Sequence, residues 1–120
     1  MGNTLWIRSD VRTSDEMDHT LILKHEKILN KLCGEIGVSK LSDYFDQSIL
    51  TEEYGENIEP NYSKPVELET VLTALICAIQ DRKSSTLADE TQIINELEDC
   101  LAKVLLAKEN GEMVRSSIVP

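Results

Sequence analysis

The sequence predicts a single α+β domain, predominantly α, spanning residues 1–120: a three-helix core plus a short extra helix, closed by a two-stranded ribbon of the N- and C-terminal strands. Three observations carry this prediction. Capped stretches of helical periodicity occur in the first, third and last parts of the chain. A short alternating apolar segment stands at each end. Between the first two helical stretches lies a polar, acidic segment, about 41–65, with no sustained period.

The elements follow in chain order. Leu5, Ile7 and Val11 alternate with Trp6 and Arg8, which reads as a short strand with Leu5, Ile7 and Val11 on one face. "TSDE" at 13–16 matches a capping box, with Thr13 as N-cap and Glu16 three residues on. A helix is expected to run from there to Gly37, with Met17, Leu21, Ile22, Ile28, Leu29, Leu32, Cys33 and Ile36 on one broad apolar arc and His25 at its middle. "KLSDYFD" predicts the short extra helix, because Leu41, Tyr44 and Phe45 stand at i, i+3 and i+4. A long loop follows to about residue 63, and loops of that length in compact domains carry function or move. Pro65 fits a first helical position, and Leu68, Leu72, Leu75, Ile76 and Ile79 form the buried stripe behind it. "TLAD" at 86–89 caps a long helix that turns Ile93, Ile94, Leu97, Cys100, Leu101, Val104 and Leu105 inward and stops at Asn110–Gly111. "EMVRSSIVP" reads as the closing strand, with Val114 and Ile118 on one face. An isolated strand is unstable, so the two terminal strands are expected to pair; the pattern leaves parallel and antiparallel pairing open.

Charge narrows the function. The net charge is −10. Residues 41–70 hold eight acids against Lys64 alone, a net of −7. Such a field repels nucleic acid and anionic membranes and favours a basic protein partner. All three tyrosines, Tyr44, Tyr54 and Tyr62, lie in the same segment. Rings for contact area amid charges for steering compose a partner-binding surface, assigned to Tyr44, Glu52, Glu53, Tyr54, Glu56, Glu59 and Tyr62. A solvated loop with locally packed tyrosines is the competing reading.

Catalytic signals are weak. His25 and Cys33 lie eight residues apart on the predicted helix, a rise of ~12 Å and far beyond the reach of a nucleophile–base pair. His25 is expected to be core, hydrogen-bonded by another element; its alternative is a pocket residue of a small enzyme or ligand-binding domain. No metal-ligand spacing, nucleophile elbow or phosphate-binding glycine loop occurs, so no metal or cofactor is assigned. The three cysteines are widely spaced and odd in number, which points to a reducing compartment. The first residues lack a secretory pattern and no apolar run approaches ~20 residues, so a cytoplasmic location is expected.

"MGNTLWIRSD", Gly37–Val38 followed by "KLSDYFD", "KPVELETVLTAL", "NELEDCLAKVLLA" and "VRSSIVP" together resemble a family of small, uncharacterised bacterial proteins. The resemblance implies a bacterial cytoplasmic protein and supplies no activity or site residue. The sequence thus favours a small acidic interaction domain, concretely an immunity protein or antitoxin binding a basic partner through 41–70. A homodimer seamed by Trp6 and the terminal strands is a third possibility.

Overall fold

The computed structural model describes residues 4–9, 19–46, 61–81 and 90–119. The capping boxes at 13–16 and 86–89 and most of the acidic loop lie outside them, as does the Trp6 side chain. Strand β1 is Thr4–Ser9; helices α1 and α2 are Thr20–Lys24 and Glu26–Ile36. A 3-10 turn, Leu41–Tyr44, leads into a two-residue strand β2, Phe45–Asp46. Helix α3 is Pro65–Asp81, α4 is Glu90–Glu109, and β3 is Val114–Val119.

The terminal strands pair antiparallel, from Thr4 opposite Val119 to Ser9 opposite Val114. This closes the helical core with the ribbon that the sequence predicts. A third strand extends it: β2 pairs parallel to β3 on the other side, giving the order β1-β3-β2. Ser63 adds a bridge opposite Val114, with N–H to O distances of 2.7 and 2.9 Å in the two directions. The "KLSDYFD" helix therefore lasts one turn, because Phe45 leaves it with extended backbone (φ −71°, ψ 139°) to join the sheet.

The first helix departs from prediction. Instead of one rod, α1 and α2 meet at a kink at His25 (φ −106°, ψ 20°). Hydrogen bonds still cross the joint, from the His25 N–H to Leu21 O and from the Leu29 N–H to His25 O, both 3.0 Å. α1 packs on α4 and β1, whereas α2 packs on α3 and the 3-10 turn. The joint at His25 lies between these two packing directions. Ile22, Leu29, Leu32 and Cys33 are buried as expected on both sides of the joint, but Ile28, expected inside, is 40% exposed.

Helix ends follow their glycines. Gly37 and Gly111 have φ of 80° and 69°, and Val38 and Glu112 donate back to Cys33 O and Ala107 O at 3.0 and 2.9 Å. Both are left-handed caps with the six-to-one bond of a Schellman motif. The α3 stripe is buried as predicted, with Val71 added. On α4, Ile93, Leu97, Cys100 and Val104 are buried, but Leu105 is 40% exposed and Glu96 takes an interior place instead. The α3–α4 pair is clamped by the Lys108–Glu69 bridge at 2.8 Å. Leu5, Ile7, Ile22, Leu29, Leu72, Leu75, Ile93 and Leu97 centre one aliphatic core between sheet and helices.

Candidate functional site

Two polar clusters interrupt this aliphatic interior, one at each side of the sheet. The first lies at the base of the acidic loop. Asp46 is fully buried, and its Oδ2 accepts from Arg115 Nε at 2.9 Å, Arg115 Nη2 at 2.8 Å and the Ser117 hydroxyl at 3.3 Å. Its Oδ1 accepts the Asn61 N–H at 3.2 Å. The Asn61 side-chain amide in turn donates to Phe45 O at 3.1 Å and to Asp43 O at 3.4 Å. Residues 46 and 61 are thereby hydrogen-bonded neighbours. Tyr62, 43% exposed, lies beneath the Arg115 guanidinium, 5.5 Å from carbon to ring centroid. That distance is within cation–π range.

The sequence-assigned partner surface maps onto this base unevenly. Tyr62 is exposed, and Tyr44 is half-buried against the core. Glu52, Glu53, Tyr54, Glu56 and Glu59 lie outside the described residues. Phe45 and Asp46, which share the aromatic and acidic composition of the segment, are interior residues. A two-residue strand within a polar stretch gives too short an alternation to be read from sequence.

The second cluster joins α1, α4 and β1. Glu96 is buried, and its carboxylate accepts the N–H groups of Leu21 (3.1 and 3.3 Å) and Ile22 (3.2 Å). It therefore caps the first turn of α1 from another helix, where the His19 side chain at the cap position makes no capping bond. Burial pushes the Glu96 carboxyl above its ordinary range, against the lowering effect of the Ile22 and Leu21 amides and of His19 and His25. His19, fully buried, places Nδ1 2.6 Å from Leu5 O and Nε2 2.7 Å from Asp99 Oδ2. Lys103 Nζ reaches the same Asp99 oxygen at 3.1 Å. Burial raises the Asp99 carboxyl, but the His19 and Lys103 hydrogen bonds and charges outweigh it and hold the group below its ordinary value.

His25, the sequence's pocket candidate, stands at the α1–α2 kink and is half-buried. Its Nε2 is buried without a hydrogen-bond partner among the described residues, so the partner expected from another element is missing there. His19 plays the fully bonded interior role expected of His25. A signal for this cluster existed on α4, since Glu96 interrupts the apolar stripe between Ile93 and Cys100.

Two of the three cysteines are packed in the interior. Cys33 and Cys100 are buried and Cys77 is exposed, all as free thiols. Burial pushes the Cys33 and Cys100 thiols upward, away from the thiolate. Among the described residues no group of three or more His, Cys, Asp or Glu could hold a metal ion, and no helix is long and apolar enough to cross a membrane. No family model, no curated protein and no solved structure matches the chain.

Proposed function

We propose that the chain is a non-catalytic interaction domain that receives a basic protein partner on its 41–70 segment, as an immunity protein or antitoxin in a bacterial cytoplasm would. The observation that supports this is the anchoring of residues 46 and 61 to one another beside exposed Tyr62. The stretch 47–60 carries Glu52, Glu53, Glu56 and Glu59 and no lysine or arginine. Tethered at both ends to one point, it reaches at most roughly 25 Å from its base. Four acids without a base in one short stretch would steer a cationic partner and raise the association rate.

The test is a triple charge reversal, Glu52→Lys, Glu53→Lys and Glu56→Lys, against a partner purified with the tagged chain from its native cell. Stopped-flow association should slow at least tenfold at low salt, and its salt dependence should flatten. Association that is unchanged by the three substitutions refutes the assignment.

A second reading makes the chain a small enzyme or ligand-binding domain centred on His25, and it rests on the unpartnered Nε2 of that ring. It requires a ligand-dependent shift of the His25 ring resonances. If His25→Ala unfolds the chain and the native ring responds to no small-molecule set, this reading fails.

A further inference from the structure

We propose that His19 is a pH-sensitive clasp: as the imidazolium it donates from both ring nitrogens and ties β1 to α4, and loss of one proton releases the outer edge of β1. The two partners dictate the charge. Leu5 O, 2.6 Å from Nδ1, is a carbonyl and can only accept. Asp99 Oδ2, 2.7 Å from Nε2, is also an acceptor, because the same oxygen lies 3.1 Å from the Lys103 ammonium. A neutral imidazole has one N–H and one lone pair, so it would set a lone pair against an acceptor oxygen at one of these contacts. A protonated Asp99 would remove the conflict, but His19 and Lys103 together overcome the effect of burial and keep that carboxyl ionised.

The surroundings of the ring agree with a cation. From α4 the neighbouring ionisable groups are Glu96, Asp99, Cys100 and Lys103; from α1 they are Lys24, which is solvent-exposed, and His25. β1 brings the Leu5 carbonyl.

The position gives the clasp a consequence. In an antiparallel pair each residue points its N–H and C=O the same way, and neighbours alternate. Leu5 turns its carbonyl toward His19, so Leu5 and Ile7 face away from β3, along the outer edge of the sheet. The His19 N–H also reaches Leu5 O, at 3.3 Å. His19 and the start of α1 therefore cover part of an edge that would otherwise offer unpaired backbone groups. The clasp is closed while Asp99 is ionised and both ring nitrogens carry protons, and it opens when the ring gives one up.

Ring-nitrogen NMR on the full chain, with hydrogen-exchange protection at the His19 amide, which bonds Leu5 O, read across the pH range, tests this. Both His19 ring nitrogens should carry protons on the acid side. Protection should fall roughly tenfold to a hundredfold as the ring loses one, the range expected for a charge-assisted hydrogen bond. Asp99→Asn supplies a donor that a neutral ring can accept at Nε2 while Nδ1 keeps Leu5, so that variant should stay closed and lose the pH step. Finding one ring nitrogen unprotonated throughout the folded range overturns the proposal, as does an unaltered pH step in Asp99→Asn. The native-chain ring signals decide the matter if the variant does not fold.

Discussion

Removing the carboxylate that caps α1 from α4 should cost the protein a large share of its stability. Glu96→Ala leaves the Leu21 and Ile22 N–H groups, now satisfied at 3.1 to 3.3 Å, without their acceptor. A buried donor left unsatisfied costs about 1–3 kcal/mol. The Leu21 end is only half-buried, so water entering the truncated site recovers part of the loss. The expected total is about 2–3 kcal/mol, near the upper end for losing a helix cap. For a chain of this length that corresponds to a fall of roughly 8–12 °C in Tm. Urea denaturation followed by circular dichroism measures it, with the midpoint moving and the slope unchanged.

Glu96→Gln separates hydrogen bonding from charge. The amide oxygen can still accept, so stability near neutral pH should stay within about 1 kcal/mol of the parent. The pH profile should change more. Burial raises the folded-state pKa of Glu96 above its ordinary 4.5. Between those two values the folded chain holds a proton that the unfolded chain has released. This group therefore makes stability fall as pH rises through that window, and its contribution is flat above it. Glutamine cannot titrate, so the variant should lose that slope. A Glu96→Ala variant within about 0.5 kcal/mol of the parent would refute the capping role, because surface substitutions away from such features fall in that range.

Two further outcomes follow from the other clusters. In the folded protein a thiol reagent should modify Cys77 alone, with Cys33 and Cys100 reacting only on denaturation; mass spectrometry of labelled peptides reads this directly. Asp46→Ala should cost about 3–5 kcal/mol, since it breaks a largely buried ion pair and removes the acceptor of the Ser117 hydroxyl, and chemical denaturation gives the value.

Legibility from sequence followed the range of the interaction. The α3 stripe and both glycine caps are set by residues within a few positions of one another, and they were readable. The terminal ribbon was readable through economy, because two lone strands require partners. The kink at His25 was not, because it lies between two different packing partners, α4 for α1 and α3 for α2. His19 and Asp99 are 80 positions apart, and Asp46 and Arg115 are 69 apart. No local period connects such pairs, so only Glu96, by intruding on an apolar stripe, left a trace.

The acids of the 41–70 segment are consequently not one population. Asp46 is consumed by Arg115 and Ser117 inside the sheet, and Glu69 is bridged to Lys108 across the helical pair. Substituting either should register mainly as lost stability. Asp43 and Glu67, exposed at the two flanks of the loop, have no ion pair among the described residues, so their charge acts outward. Reversing them should change the rate of encounter with a charged partner while leaving denaturation midpoints within about 0.5 kcal/mol of the parent. Composition alone counted all eight acids in one field and could not say which of them the fold consumes. The division between anchoring and steering comes from β3, which pairs on one side with the strand that supplies Asp46 and itself contributes Arg115 and Ser117. An alteration that loosens β3 should therefore disturb the base of the acidic loop even though no loop residue is changed.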